Sequence, residues 1–404
     1  MDKIFVQIAS YRDPELVPTI QSCMENCSDP SRLRFGIVWQ YHEQDAFNKQ
    51  FEPYLQHPQF EVMPVVWNES KGMCWARSHT QYMWQAETYT LQLDSHMRFA
   101  KNWDLFLIEC MHMTGSEKPL LTAYCGAYEA ENPDYPLTEQ PFQMIPTKFS
   151  DHGTIPFIAT SMHQVPVAPV PARFVSGHFF FTLGQHCREY LYDPELYFAG
   201  DEISLSIRSY TLGYDLYHPH RNVIWHDYCS YERRKHWGDH TNTEPEVTTA
   251  WWERDRISKS RLRQLLGEEY NGHQLEPYGL GTKRSHAEYE AYAGIDFLRR
   301  RLHPDAVNGR LPPTFQLGDK KWVDLESTYV IDFSILKRQV AYHNPVKYYV
   351  GFDTTENRAV YHEYFEHLPD THKFTFNCIE QPSKVVLFGL NASGEFSART
   401  EQLL

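Results

Sequence analysis

The stretch Tyr89–Phe99 reads YTLQLDSHMRF and places a carboxylate and an imidazole directly after a short apolar segment. Its first five residues form a β-type run that stops at Asp94, and His96 follows two positions later. Because residues i and i+2 of an extended chain project to the same side, Asp94 and His96 can both reach one ion beyond the strand end. A carboxylate with an imidazole suits a borderline divalent cation such as Mn2+. The alternative is that Asp94 caps a following helix and His96 is a surface residue.

The segments around this stretch alternate between strand and helix patterns. Strands are predicted over Lys3–Ala9, Arg34–Gln40, Phe60–Trp67, Tyr89–Asp94 and Lys118–Tyr124, and helices from Asp13-Pro14-Glu15 to about Cys27, over Met73–Glu87 and over Asn102–Met113. Such alternation predicts a mainly parallel, doubly wound α/β sheet. In such a sheet, ligands bind in the crevice outside the carboxyl ends of the strands.

The second half of the chain is less regular. Residues 128–172 are rich in proline, so we predict loop or edge structure there and place part of an acceptor surface in it. Beyond them, we predict a strand over Arg173–Leu183, a helix over Glu202–Leu212 and a strand ending at His226-Asp227. After Pro312-Pro313 the composition turns to β-type runs. We therefore predict two domains, residues 1–310 and a small β-rich domain over residues 311–404.

The composition of the 404 residues excludes several classes of protein. The formal net charge is −14 and there is no basic tract, which argues against binding to nucleic acid or to an anionic membrane surface. No apolar run predicts a signal peptide or a membrane-spanning segment. The eight cysteines are scattered without a CxxC pair, so we interpret them as reduced thiols and expect a cytoplasmic protein.

Other residues can complete a site at the predicted strand ends. His226 ends an apolar run and is a third candidate metal ligand, although a lone histidine there is more often structural. Asp201 and Glu202 open a helix, where they either complement its dipole or lie near a reacting hydroxyl. Arg77 can reach a phosphate or a carboxylate, or be a solvated charge.

Two further segments suit a nucleotide. The segment Ser10-Tyr11-Arg12 follows the first strand, where a base and ribose would lie in a doubly wound sheet. A second segment could close over a diphosphate as a cationic loop, or be only a charged loop, and it consists of Tyr231, Arg233, Arg234, Lys235 and His236.

Several stretches of the chain carry a resemblance to a known family. They are IASYRDPEL, CWARS, LQLDSHMRF, SGHFFFTLG, DPELYFAGDEISLSIRSYTLGYDLYHP, VIWHDY and YGLGTKRS, and they cover about residues 3–300. Together they resemble GT-A glycosyltransferases, most closely the cytoplasmic polypeptide α-N-acetylglucosaminyltransferases that modify hydroxyproline on a ubiquitin-ligase adaptor protein. The D-x-H form of Asp94-Ser95-His96 is similar to that of the polypeptide N-acetylgalactosaminyltransferases.

The resemblance implies a GT-A fold, with a Rossmann-like sheet of the nucleotide-diphospho-sugar transferase type. It also implies a UDP-GlcNAc donor, Mn2+ or alternatively Mg2+, retention of anomeric configuration, and a hydroxyl acceptor on hydroxyproline, serine or threonine of a protein. The metal ligands it implies are Asp94, His96 and His226. Asp201 and Glu202 would lie beside the sugar and the acceptor hydroxyl. The donor-binding residues would be Ser10, Tyr11, Arg12, Arg77, Asp94, Ser95, Gly177, His178, Arg233 and Arg234.

Other functions remain open at this point. One is a UDP-sugar-binding or carbohydrate-binding protein without transfer activity, in which the C-terminal β domain is the interaction module. Another is a transferase that uses a different UDP-sugar, or a glycan or small-molecule acceptor. A nucleotidyltransferase would also carry carboxylates at strand ends, but IASYRDPEL lacks the Gly-rich, basic phosphate loop expected of one.

Overall fold

The computed structural model describes residues 2–132, 135–150, 152–162, 165–228, 233–312, 326–357, 359–377 and 382–404. It contains two compact units. The first comprises residues 1–301 and 305–317, and the second comprises residues 302–304 and 318–404.

The strands of the described chain are β1 Ile4–Tyr11, β2 Leu33–Tyr41, β3 Phe60–Val66, β4 Tyr89–Leu93, β5 Met97–Phe99, β6 Pro119–Thr122, β7 Gly126–Tyr128, β8 Phe142–Pro146, β9 Phe157–Ser161, β10 Val170–Pro171, β11 Phe179–Leu183, β12 Asp215–His218, β13 Ile224–Asp227, β14 Ile295–Asp296, β15 Arg301–Leu302, β16 Glu326–Asp332, β17 Lys347–Asp353, β18 Ala359–Phe365, β19 Thr371–Asn377, β20 Lys384–Leu390 and β21 Thr400–Leu403. The α-helices are α1 Leu16–Glu25, α2 Asn48–Phe51, α3 Met73–Tyr82, α4 Trp103–Met113, α5 His186–Glu189, α6 Asp201–Thr211, α7 His236–Asp239, α8 Trp251–Leu265, α9 His286–Ala293, α10 Pro304–Val307 and α11 Ser334–Val340. Short 3₁₀ helices cover Pro30–Arg32, Glu52–Gln56, Trp67–Glu69 and Ala341–His343.

The first unit is built on an eight-stranded sheet with the order β10-β12-β6-β11-β4-β1-β2-β3. β1 pairs in parallel with β2 and β4, and β2 pairs in parallel with β3. β11 is antiparallel to both β4 and β6, whereas β12 is parallel to β6. The carboxyl ends of β1, β4 and β6 therefore meet the amino end of β11 at one edge of the sheet. The prediction of a mainly parallel α/β sheet is confirmed.

A small three-stranded sheet has the order β5-β13-β7. It is connected directly to this edge of the main sheet, because only three residues separate the end of β4 from the start of β5. In it, His226 of β13 pairs with Met97 of β5 and Ala127 of β7. This pairing brings the end of the apolar run that contains His226 next to His96. Residues separated by 130 positions in the chain thus become neighbours only through the sheet.

Two predicted elements are shorter than expected. The helix predicted over Met73–Glu87 ends at Tyr82, and the chain then turns through Ala86 in the left-handed region at φ 72°. The strand predicted over Arg173–Leu183 begins only at Phe179. The preceding backbone N–H of Gly177 donates to the side chain of Glu202 instead of to a neighbouring strand. Residues 128–172 are less irregular than expected, since β8 and β9 form an antiparallel pair.

Buried apolar side chains fill both faces of the main sheet. One cluster includes Ile4, Val6, Leu91 and Phe181, and a smaller cluster on the opposite face includes Phe5. Strands β1 and β4 are buried along nearly their whole length, as expected for central parallel strands covered by helices. The residues at the edge of the sheet therefore follow strands that are buried on both faces.

The second unit contains a four-stranded sheet with the order β18-β17-β20-β21 and a pair, β16-β19. Its buried core is rich in aromatic rings, among them Phe333, Phe352, Phe374 and Phe376. A β-rich composition was predicted here.

Within the described residues, no helix is both long enough and apolar enough to cross a membrane. Six of the cysteines lie in the described part of the chain, and all six are buried free thiols, namely Cys23, Cys27, Cys74, Cys110, Cys125 and Cys187.

Candidate active site

The candidate active site begins where β4 ends. Leu93, the last residue of β4, pairs with Phe179, the first residue of the antiparallel β11. The residue before Phe179 is His178, and its carbonyl oxygen accepts the backbone N–H of Asp94 over 3.3 Å. Asp94 and His178 are thereby fixed side by side at the edge of the sheet.

Asp94, His96 and His226 form one cluster, with a potential ligand atom from each lying within 4.8 Å of the others. Nε2 of His226 lies 3.5 Å from Oδ2 of Asp94, and Nε2 of His96 lies 3.8 Å from the same oxygen. The two imidazole rings meet edge to face, with their centroids 4.7 Å apart. The sequence-predicted triad is thus brought together.

His226 carries the clearest sign that this cluster suits a cation. Its side chain is 9% exposed, and within the described residues neither ring nitrogen has a hydrogen-bond partner. Burial lowers the pKa of His226 to about 4, with nearby Asp94 opposing the shift. A neutral, buried imidazole with unpaired nitrogens is costly unless a ligand uses them. Two imidazoles and one carboxylate fit a divalent transition-metal ion.

Arg77 of α3 lies between two carboxylates. It is 2% exposed, and its guanidinium contacts Oδ2 of Asp201 at 2.6 Å and Oδ1 of Asp94 at 2.9 Å. It also donates to the carbonyl oxygen of Gly177 at 2.6 Å. Burial would raise the pKa of Asp94, but contacts with His226 and Arg77 hold it well below its usual range. Burial raises the pKa of Asp201 despite Arg77.

Glu202, the second residue of α6, accepts two hydrogen bonds. Its Oε1 accepts the backbone N–H of Gly177 at 2.9 Å, and its Oε2 accepts the hydroxyl of Tyr124 at 2.6 Å. Burial raises the pKa of Glu202 to about 7, while these two hydrogen bonds oppose the shift. A carboxylate with this pKa changes its protonation state near neutral pH.

These groups line a cavity of about 400 Å³. Its polar wall contains Arg77, Asp94, Asp201, Glu202 and His226, and its apolar wall includes Pro156, Phe157, Phe198 and Tyr228. The volume is within the range of small-molecule sites, which combine apolar walls with a few convergent polar groups.

The segment Ser10–Arg12 lies at the end of β1, as predicted, but its charged residue is engaged with protein groups. Arg12 forms ion pairs with Asp45 at 2.8 Å and Asp239 at 2.9 Å. The hydroxyl of Tyr11 also donates to Asp239. Ser10 is buried, and its hydroxyl has no hydrogen-bond partner within the described residues.

The predicted cationic loop is partly described. Tyr231 lies outside the described residues. Arg233 pairs with Asp227 at 2.8 Å, and Arg234 is exposed. His236 is buried in α7, and Nδ1 of its ring lies 2.7 Å from the hydroxyl of Tyr197.

Sequence reasoning missed two residues of this site. Tyr124 appeared only as the end of a strand, and Asp13 appeared only as an acidic residue at a helix start. In the structure, Tyr124 binds Glu202, and Asp13 binds His96 with Oδ2 and Nδ1 2.7 Å apart. The available signal was their position, because each follows a strand whose carboxyl end lies at the same edge as that of β4.

Comparison with known protein families identifies the family of the chain. The model of the glycosyltransferase (GlcNAc) family matches residues 3–59 and 46–299, which include every residue of the cluster and of the cavity wall named above. The chain belongs to this family. It is a glycosyltransferase, and the matched residues carry the edge of the sheet where the candidate site lies.

The crystal structure of GalNAc-T7 resembles this glycosyltransferase in fold. A crystal structure of GalNAc-T7 with UDP, GalNAc and Mn2+ has a TM-score of 0.50 and 12% sequence identity, covering 100% of this chain and 72% of that one. The S. aureus protein TarS, residues 1–349, in complex with UDP-GlcNAc has a TM-score of 0.36 and 9% identity, covering 64% of this chain and 71% of TarS. No curated protein sequence matches the chain. The predicted GT-A fold is confirmed.

A side chain at position 177 would crowd the charged groups where α6 meets the sheet edge. A Cβ atom on Gly177 would lie 3.0 Å from Oδ2 of Asp201 and 3.3 Å from Nη1 of Arg77. We expect Gly177→Ala to lower kcat/KM for sugar transfer by about 10–100-fold, because small displacements of positioned groups reduce rates on this scale. Gly238→Ala is the matched control, since a Cβ there meets no atom within 4 Å. Equal activity of the two variants would contradict the prediction.

Proposed function

We propose that this glycosyltransferase transfers GlcNAc from UDP-GlcNAc to a hydroxyl group of a protein, with a divalent cation and with retention of anomeric configuration. The observation that carries the metal-dependent part is the cluster of Asp94, His96 and His226, in which the buried Nδ1 of His226 has no hydrogen-bond partner among the described residues and Nε2 faces Oδ2 of Asp94 at 3.5 Å. The family match and the sequence resemblance support the choice of GlcNAc.

The proposed metal ligands are Asp94, His96 and His226, and Mn2+ suits this donor set. A bound ion would stabilise the negative charge that gathers on a diphosphate as the glycosidic bond breaks. Arg77 supplies a fixed positive charge on the wall of the same cavity, held by Asp94 and Asp201. Such a preorganised charge needs no reorganisation during the reaction.

Both carboxylates on α6 are engaged with other protein groups. Asp201 is bound by Arg77, and both oxygens of Glu202 accept hydrogen bonds. This supports attack of the acceptor oxygen on the sugar from the face that the diphosphate leaves. The bond from the sugar carbon to the phosphate oxygen breaks, the bond to the acceptor oxygen forms, and the leaving phosphate takes the acceptor proton. Trapping a sugar covalently on Asp201 or Glu202 would contradict this mechanism.

The remaining residues that were predicted from the sequence are retained in the proposed donor-binding site. His178 is buried, and its Nε2 accepts the backbone N–H of Cys125 at 3.1 Å, so it supports the cavity wall. The hydroxyl of Ser95 donates to Asp13. Ser10, Tyr11, Arg12, Arg233 and Arg234 stay proposed donor-binding residues. We propose that the acceptors are hydroxyproline, serine or threonine residues of cytoplasmic proteins.

The test is release of UDP from a panel of UDP-sugars, with Mn2+ and with a chelator, by the wild type and by His226→Ala. We expect hydrolysis of UDP-GlcNAc that needs Mn2+ and is lost in the variant. Binding of UDP-GlcNAc without turnover in any condition would favour the sugar-nucleotide-binding alternative. Faster turnover of a different UDP-sugar would contradict the choice of donor.

The pH dependence of the reaction tests the role of Glu202. Burial raises its pKa to about 7, so the carboxylate that accepts the Gly177 and Tyr124 hydrogen bonds is lost as the pH falls through that value. We expect kcat/KM to fall about tenfold per pH unit below about pH 7, as required when one ionised group is essential. Glu202→Gln should lower activity and remove this acidic limb. An unchanged limb in Glu202→Gln would assign it to another group.

A further inference from the structure

The carboxylate of Asp13 contacts the proposed metal ligand His96 from the side opposite to Asp94. Asp13 follows β1, and its side chain is 4% exposed. Its Oδ2 lies 2.7 Å from Nδ1 of His96 and 2.6 Å from the hydroxyl oxygen of Ser95. Its Oδ1 accepts the backbone N–H of Glu15 at 2.9 Å. An ionised carboxylate carries no hydrogen, so Asp13 can only accept hydrogen bonds from these three partners.

The partners of Asp13 determine which nitrogen of His96 carries the proton. The carboxylate offers no hydrogen to Nδ1, so the 2.7 Å contact is a hydrogen bond only if Nδ1 carries the proton and donates it. In the neutral ring, Nε2 then has a bare lone pair. That nitrogen lies 3.8 Å from Oδ2 of Asp94, so two acceptors face each other across the cluster. A cation between them would satisfy both.

We infer that Asp13 is a positioning residue that holds His96 in the Nδ1–H tautomer and directs the lone pair of Nε2 at the metal site. The inference rests on the proposed metal-dependent function. A carboxylate bound to the outer nitrogen of a ligating histidine fixes the orientation of the ring and raises its basicity. Asp13 also joins the metal site to β1, because it directly follows the predicted nucleotide-binding segment Ser10–Arg12.

The variant Asp13→Asn changes this arrangement in a defined way. Its amide must keep an oxygen toward the N–H of Glu15, since two N–H groups cannot face each other, and this leaves the NH2 group toward His96. Nδ1 of His96 then becomes the acceptor, and the proton moves to Nε2. The nitrogen that faces Asp94 has lost its lone pair for a metal.

The matched control is Asp104→Asn. Asp104 is also a fully buried carboxylate that accepts a backbone N–H and a serine hydroxyl, both from Ser28, but it does not contact the cluster. Asp104 also pairs with Arg32 at 3.3 Å. Replacing it makes the same change of charge and size at another buried carboxylate. A change of the His96 tautomer that occurs in Asp13→Asn and not in Asp104→Asn is therefore attributable to the contact between Asp13 and His96.

The first measurement is 15N NMR of the metal-free wild type with labelled histidine, with His96 assigned from the spectrum of His96→Gln. We expect the Nδ1–H tautomer for His96 in the wild type and in Asp104→Asn, and the Nε2–H tautomer in Asp13→Asn. The wild-type result needs no variant to fold apart from the one used for assignment. An Nε2–H tautomer in the wild type would overturn the inference.

The second measurement is the dissociation constant of Mn2+ in the presence of UDP, from the EPR signal of free Mn2+. We expect Asp13→Asn to weaken Mn2+ binding by about 10–100-fold, which is typical for the loss of a residue that orients a metal ligand. Unchanged affinity in folded Asp13→Asn would overturn the inference. If the wild type binds no Mn2+, the proposed function fails together with the metal-directed part of the inference, whereas the NMR result separately decides whether Asp13 fixes the tautomer.

Discussion

Asp94→Ala is expected to reduce Mn2+-dependent turnover of UDP-GlcNAc by about 10³-fold, equivalent to about 4 kcal/mol of transition-state stabilisation. Asp94 supplies the only carboxylate of the cluster formed by the described residues, and its second oxygen holds the guanidinium of Arg77. The variant removes a proposed metal ligand and one of the carboxylates that hold Arg77. The measurement is steady-state release of UDP across a range of Mn2+ concentrations.

The fold should survive this substitution. The Asp94 side chain is 28% exposed, and Arg77 retains Asp201 and the carbonyl oxygen of Gly177 as partners. Asp370→Asn serves as a control, because that carboxylate is 76% exposed and belongs to the second unit. Full Mn2+-dependent activity of a folded Asp94→Ala protein would mean that the metal site is elsewhere.

Arg77→Met is expected to lower the free energy of unfolding by about 3–5 kcal/mol, because it leaves Asp201 as a buried carboxylate without its counter-charge. The methionine conserves much of the apolar volume, so the loss is electrostatic. The side chain of Asp201 is 3% exposed, and besides Arg77 it accepts a weak hydrogen bond from the thiol of Cys74 at 3.4 Å. Urea denaturation followed by near-UV circular dichroism measures the loss.

Two comparisons isolate the buried ion pair. Arg299→Met removes a guanidinium that is 62% exposed and pairs with Asp296, so it should cost at most about 1 kcal/mol. The double variant Arg77→Met/Asp201→Asn should recover part of the lost stability, because the uncompensated carboxylate is gone. Equal stability of Arg77→Met and Arg299→Met would show that Arg77 is not bound between carboxylates.

Local sequence patterns predict much of the sheet and of the cluster formed by Asp94, His96 and His226. The apolar runs predict β1 and β4 to within two residues, since central parallel strands are buried on both faces. The i, i+2 spacing of Asp94 and His96 predicts their common side, and the structure places Nε2 of His96 3.8 Å from Oδ2 of Asp94. His226 was predicted from its place at the end of an apolar run.

Long-range pairings were beyond local patterns. Asp13 has all the features of an acidic residue at a helix start, and its contact with His96 spans 83 positions of the chain. Arg77 was expected to reach a phosphate or a carboxylate, but its two ion pairs and its burial depend on how α3 packs against α6 and β4. The interruption of the strand before Phe179 depends on Glu202, which takes the N–H of Gly177. Such partners are set by tertiary packing. The position of Asp13 after a strand places it at the edge of the sheet, but the local pattern does not identify the side chain that it contacts.

The central claim is that Asp94, His96 and His226 bind one divalent cation. The most direct measurement is pulsed EPR of Mn2+ bound in the presence of UDP, which detects hyperfine coupling to directly ligated nitrogen. We predict couplings from two imidazole nitrogens in the wild type and from one in each of His96→Ala and His226→Ala. Bound Mn2+ without nitrogen coupling, or two couplings that persist in either variant, would contradict the claim.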